Sequence, residues 1–288
     1  MEKRKIFVIG HKNPDTDSVC SAIAYAQLKN EIDTENEYIP LRAGQTNEET
    51  QYVLKQFGVN APQYVMDVKS QVKDIEIRKV DGVDRNISIK AAWKLMRDIG
   101  VVTLPITRDN KLEGLITIAD IATSYMDVHD STTLSTARTV CKNIVETLDG
   151  ALIIGDEEHV FDRGKVLVAA ANPDLMESYI RMGDIVILGN RYESQLCAIE
   201  MQAGCIVVCE GAPVSMTIKK LAVENHCTII STPHDTFTAS RLINQSVPIS
   251  FFMRTEGLIT FSTEAYTDEV RQVMAKKRHR DFPIHDEQ

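Results

Sequence analysis

The 288-residue sequence has no Cys-x-x-Cys pair, a single tryptophan, and an aromatic share of only 6%. Its six cysteines, at 20, 141, 197, 205, 209 and 227, are scattered. A disulfide framework or a zinc knuckle needs paired spacing, so both are excluded, and free thiols in a reducing cytoplasm are expected. No apolar run approaches the roughly 20 residues of a membrane-spanning helix. Only four apolar residues follow Met1-Glu2-Lys3-Arg4-Lys5, too few for a secretion signal. Basic residues are in deficit: 32 Lys and Arg against 41 Asp and Glu give a net charge of −9. That excludes a broad cationic surface for nucleic acid, although it leaves room for a local phosphate site. The expectation is a cytoplasmic protein with no membrane or nucleic-acid partner.

What remains is long enough for two or three domains. The apolar run 6–9 reads as a buried strand ending at Gly10, and Val19, Ala22, Ile23 and Ala26 mark one face of the helix that follows. A second strand around 38–41 and a helix around 48–57 complete a small α/β unit that fades near residue 66. A helix is predicted over 89–99, with Ala92, Trp93, Met96 and Ile99 on one side and Gly100 as its C-terminal cap. Strands over 101–107 and 115–118 follow, joined through Arg108-Asp109-Asn110-Lys111.

An internal repeat organises the rest. Met96, Pro105 and Ile106 recur as Met274, Pro283 and Ile284 at one constant offset, so two copies of a helix–strand module flank the region between them. In that region, roughly 140–245, five apolar runs (151–154, 166–170, 185–188, 205–209 and 228–230) alternate with helical patterns at 174–182, 191–203 and 215–225. Such alternation predicts a mostly parallel sheet covered by helices. Only five residues follow Pro283 in the second copy, which predicts an unpaired strand and a truncated chain.

The loop Gly10-His11-Lys12-Asn13-Pro14-Asp15-Thr16-Asp17-Ser18 places one imidazole and two carboxylates between a strand and a helix. Oxygen donors with one imidazole suit Mn²⁺, Co²⁺ or Mg²⁺. Two carboxylates this close could serve neighbouring ions, as two-metal phosphoryl hydrolysis requires. Asn13-Pro14-Asp15 is equally a turn signal, and Asp17 or Ser18 is a competent helix cap. The wording of the loop resembles the first metal motif of the DHH phosphoesterases, and it is similar to the family II inorganic pyrophosphatases in particular. Cys20–Tyr25 and Arg42–Thr50 resemble that family as well. The resemblance covers about the first 66 residues. It implies that His11 and Asp15 bind one manganese ion and Asp17 the other, and that pyrophosphate is the substrate. The family also carries an Asp-His-His motif that has no counterpart here; the nearest segments, Asp127-Val128-His129-Asp130 and Glu157-Glu158-His159, read as solvated loops. Later ligands are therefore expected to be missing from this chain.

The repeated module resembles a CBS domain, a unit that works in pairs on adenine nucleotides. By that resemblance Thr117 holds a phosphate and Asp120 the ribose hydroxyls, while Arg278 and His279 grip phosphate in the second copy. Asp120 as a plain helix cap, and the basic run 276–280 as an offset to a helix dipole, are the competing readings. The segment 140–245 is similar to the DRTGG domain found between such repeats. The fold class implied is α/β: a DHH-type parallel unit over 1–66, CBS repeats over 67–130 and 247–288, and a DRTGG-like domain over 140–245. The implied ligands are AMP, ADP, ATP or diadenosine polyphosphates as regulators, in a homodimer. The alternatives are a free-standing adenine-nucleotide-binding regulator and a DHH phosphoesterase acting on oligonucleotides or cyclic dinucleotides.

Overall fold

The computed structural model of the protein describes residues 3–126, 130–279 and 281–285. They divide into two compact units, one built from residues 3–77 and 262–279, the other from 78–261 and 281–285.

In the first unit, the strands Arg4–Ile9, Asn36–Arg42 and Gln63–Tyr64 form a parallel sheet in that order. The helix Thr16–Ile32 crosses from the first strand to the second and buries Val19, Ala22 and Ala26, as the apolar spacing predicts. The second helix is Glu48–Gln56, started by the Asn47 side chain accepting from the Thr50 amide at 2.7 Å. Asp33 ends the long helix and shapes the turn into the next strand. One oxygen accepts from the Glu35 amide at 2.9 Å, and the other from the Asn36 amide group at 3.0 Å and the Tyr38 hydroxyl at 2.8 Å. The Asn36 and Tyr38 side-chain bonds hold its carboxyl well below the usual Asp range. A depressed pKa means that its stabilisation is present above the unfolded value, about 3.9, and is lost as pH falls through and below it. Acid unfolding of Asp33→Ala should therefore start at higher pH than wild type, with the two curves converging at the most acidic end. Parallel acid-unfolding curves followed by circular dichroism would contradict this.

In the second unit, the helix Ile89–Ile99 begins at Ser88, whose hydroxyl accepts from the Ala91 amide at 3.1 Å, and ends on Gly100 at φ +66°. It buries Ile89, Ala92 and Met96. Trp93 and Ile99, expected on the same side, lie on the flank of that stripe and are 42% and 40% exposed. The strands Thr103–Arg108 and Lys111–Thr117 form a hairpin whose two-residue turn holds Asp109 and Asn110 at positive φ. This mirror-image turn matches the twist of the strands it joins. The helix Ile118–Met126 follows directly.

The repeat is structural as well as verbal. The helix Thr267–Lys277 lies 178 positions after Ile89–Ile99, the same offset that separates Met96 from Met274. Arg278 takes the left-handed conformation of Gly100, at φ +54°. The Val83 amide donates to the Pro105 carbonyl at 2.9 Å, and at the same offset the Phe261 amide donates to Pro283 at 3.1 Å. The strand at Ile284–His285 therefore does not follow an unpaired segment, contrary to the sequence expectation.

The central sheet has five strands in the order Ala151–Ile154, Thr228–Ser231, Cys205–Val208, Ile185–Leu188, Val166–Val168. All neighbours are parallel except the first pair. Side chains alternate between two cores. Ile185, Ile187, Cys205 and Val207 join Ile89, Met96, Leu104 and Ile144, while Val186, Leu188, Ile206 and Val208 join Met176, Ala198 and Ile218. Burial on both faces explains why these strands read as unbroken apolar runs. Helices at Pro173–Tyr179, Tyr192–Glu200 and Met216–Glu224 match the three predicted there. Two further helices, Cys141–Thr147 and Thr236–Leu242, had no sequence expectation. Five of the cysteines are buried and Cys20 is half-buried. Burial pushes the thiols of Cys141 and Cys227 up to about 12 and that of Cys209 to about 11, which suits structural thiols rather than metal ligands. Among the described residues no helix is long and apolar enough to cross a membrane.

Candidate metal and nucleotide sites

Gly10 ends the first strand where a side chain cannot fit: a Cβ there would lie 2.0 Å from the Ser18 hydroxyl oxygen. The loop therefore closes tightly on the start of the long helix. Asp15 is the helix cap, its carboxylate accepting from the Ser18 amide at 2.9 Å. The sequence reading offered Asp17 or Ser18 for that role; the turn at Asn13-Pro14 brings the chain into the helix two positions before Asp17. His11 lies one turn back, with Nε2 3.4 Å from Asp15 Oδ1 and Nδ1 donating to the Lys12 carbonyl at 3.1 Å. Both side chains are well exposed, at 60% and 62%. The Lys12 carbonyl, and then the Asp15 charge, raise the His11 pKa above its ordinary value. The Ser18 amide, and then His11, lower that of Asp15.

Asp17 stands in the first helical turn, and its carboxylate accepts from the Ser21 hydroxyl at 3.2 Å. The structure thus pairs His11 with Asp15. Among the described residues, no three His, Cys, Asp or Glu side chains gather as a metal cluster. The two segments that carry the resemblance do meet. The Asn13 amide donates to the Ala43 carbonyl at 3.3 Å, and the Thr16 and Thr50 hydroxyls lie 3.0 Å apart. Residues 127–129 of the first Asp-His segment lie outside the described residues; in the second, His159 sits edge-on to Phe161 with ring centroids 4.9 Å apart.

The donor set fits a divalent cation at His11 and Asp15. An imidazole whose Nδ1–H is held by a carbonyl presents its Nε2 lone pair in a fixed direction, the usual support for a metal-ligating histidine. Here that direction is toward an exposed carboxylate.

In the other unit, Thr117 and Asp120 form a closed turn at the start of the helix Ile118–Met126. Asp120 Oδ2 accepts from the Thr117 amide at 2.9 Å and from its hydroxyl at 2.6 Å. Its Oδ1 accepts from Arg254 Nε at 2.9 Å and Nη2 at 2.7 Å. The sequence reading missed Arg254. Nothing local could have exposed it, because 134 positions separate the partners. Arg278 and His279 fall in the first unit. Arg278 is exposed and, among the described residues, makes no hydrogen bond or ion pair.

The profile of the DHH family, N-terminal domain, matches residues 5–155, running well past residue 66. The chain belongs to the DHH family. A DRTGG domain matches residues 143–246, so the central sheet is the domain that its placement suggested. A Clostridium perfringens protein named cobalt-dependent inorganic pyrophosphatase is 40% identical over 99% of this chain and 52% of its own length. A Thermotoga maritima protein named probable manganese-dependent inorganic pyrophosphatase is 30% identical over 98% of this chain and 52% of its own length. The chain thus spans about half the length of the curated relatives it matches. Among solved structures, the CBS and DRTGG domains of the regulatory region of Clostridium perfringens pyrophosphatase superpose with a TM-score of 0.72. That match is 37% identical and covers 76% of this chain and 96% of the other, which is complexed with its activator diadenosine tetraphosphate. The α/β class with CBS and DRTGG modules therefore stands.

Proposed function

We propose that this chain serves the hydrolysis of inorganic pyrophosphate to two phosphates under the control of adenine nucleotides. The observation that carries the reading is the His11–Asp15 pair on a strand-to-helix loop, in a chain 40% identical to a cobalt-dependent pyrophosphatase. His11 and Asp15 hold one divalent cation, manganese or cobalt, and Asp17 contributes to a second. Such ions supply charge neutralisation for phosphate oxygens and lower the pKa of water at neutral pH. The chain's own part is to fix the donors: the Lys12 carbonyl orients the imidazole, and the Ser18 amide keeps Asp15 ionised.

For regulation, Thr117 and Asp120 form the phosphate and ribose subsite of the first CBS repeat, with Arg278 and His279 on phosphate in the second. Left-handed backbone at a non-glycine residue costs about 1 kcal/mol or more. Arg278 keeps that conformation where Gly100 stands in the first repeat, which supports a role for its side chain. The proposed domain limits are 1–66, 67–130, 140–245 and 247–288, and the proposed assembly is a homodimer in the cytoplasm.

The test offers pyrophosphate, oligonucleotides and cyclic dinucleotides in turn, with Mn²⁺ or Co²⁺, and measures phosphate or nucleotide release. With the later metal ligands expected to be missing, turnover should be weak, and any product is expected to be phosphate from pyrophosphate alone. Cleavage of either nucleic substrate with pyrophosphate untouched would sink the reading in favour of a different phosphoesterase. The second reading is an adenine-nucleotide-binding regulator without catalysis, which draws support from the lack of a three-ligand cluster among the described residues. AMP binding with no turnover of any substrate would establish it.

A further inference from the structure

The Asp120 carboxylate has no acceptor capacity left. An ionised carboxylate offers about four lone-pair sites. Thr117 takes two of them on Oδ2 through its amide and hydroxyl, and Arg254 takes two on Oδ1 through Nε and Nη2. Ribose hydroxyls reach a carboxylate as donors, so they need sites that are already filled.

The two sets of bonds differ in how readily they can be given up. The Thr117 bonds are local, three residues from Asp120, and belong to the turn that starts the helix. The Arg254 bonds come from a distant side chain that is 51% exposed, while the Asp120 side chain is only 12% exposed. A departing guanidinium regains water, and the carboxylate it leaves needs other donors in its place. The Arg254 backbone is meanwhile pinned: its amide donates to the Leu115 carbonyl at 2.9 Å, and its carbonyl accepts from the Leu115 amide at 3.0 Å. The side chain can swing away while the main chain stays fixed.

We propose that Arg254 is an internal latch that competes with the ribose of a nucleotide for Asp120, so that nucleotide enters only when the guanidinium leaves Oδ1. The latch rests on the reading of Asp120 as the ribose-binding carboxylate. It lowers the apparent affinity by the fraction of molecules in which Asp120 is free. Arg254 opposes binding in this scheme.

The experiment is calorimetric titration of AMP into the full chain and into Arg254→Gln, Arg254→Lys and Asp120→Ala, with a thermal melt of each to establish folding. Part-exposed ion pairs are modest in strength, so AMP should bind about two- to tenfold tighter to Arg254→Gln. Arg254→Lys, which keeps the charge but loses the two-donor fork, should fall between Arg254→Gln and wild type. Unchanged or weaker binding by folded Arg254→Gln overturns the latch, and weaker binding would place the guanidinium on the nucleotide itself. Asp120→Ala should lose AMP binding. If it binds AMP as wild type does, the ribose reading fails, whichever way the Arg254 variants move.

Discussion

Asp184→Ala is expected to destabilise the central sheet by about 4 kcal/mol, a large share of a domain's usual 5–15 kcal/mol. Asp184 is only 2% exposed and sits just before the fully buried strand Ile185–Leu188. One carboxylate oxygen accepts from the Lys165 amide at 2.9 Å and the other from the Arg181 amide at 2.8 Å. Those two bonds fix the entry points of neighbouring parallel strands, whose pairing continues with the Ile185 amide donating to the Lys165 carbonyl at 2.9 Å. Alanine would leave two amides without acceptors, and each orphaned buried group costs about 1–3 kcal/mol. Asp184→Asn keeps one acceptor and turns an amide N–H toward the other donor, so its loss should be about half as large. Urea unfolding followed by circular dichroism measures both. A midpoint for Asp184→Ala within error of wild type would mean that water replaces the carboxylate and that the strands are held by their ladders alone.

At the loop Gly10–Ser18, Asp15→Ala and Asp15→Asn should separate the capping role of Asp15 from the metal-ligand role proposed for it. As a helix cap Asp15 stabilises the first turn, and asparagine caps about as well. As a ligand it brings a negative charge that asparagine lacks. Both variants should therefore lose Mn²⁺ or Co²⁺ affinity by about 100-fold or more, while only Asp15→Ala should lower the melting temperature of the metal-free protein. Metal competition against a fluorescent chelator reads the first effect and a chelator-treated thermal melt the second. If Asp15→Asn binds the metal as tightly as wild type does, Asp15 is a cap and nothing more. Equal destabilisation by both variants would instead remove it from the capping role seen in the Ser18 contact.

Periodicity was a good guide wherever a segment's neighbours in sequence decide its structure. The predicted helix over 89–99 appears at those residues because a serine opens it, an apolar stripe buries and a left-handed glycine closes it, all within thirteen positions. The buried strands of the central sheet were legible from their apolar runs, since burial on both faces leaves no polar alternation to confuse the pattern. Cys141–Thr147 was not legible: Val140 offers no side-chain cap, and seven residues hold too few turns for a period to show. The unpaired strand expected in the second repeat failed for a related reason. The partner of Pro283 is Phe261, upstream of the helix, and strand pairing is settled by tertiary approach rather than by order along the chain.

The sequence by itself determined the strand-to-helix loop, the paired modules and the central α/β domain, because each is written in contiguous residues whose chemistry or spacing is local. Tertiary structure alone decided which atoms are engaged. It made Asp15 rather than Asp17 the cap, set His11 beside it at 3.4 Å, and placed Arg254 on the carboxylate of Asp120. A hydrogen bond depends on distances of a few tenths of an ångström between groups that the chain can bring from any separation. Composition and periodicity carry no record of that approach, which only the packed fold supplies.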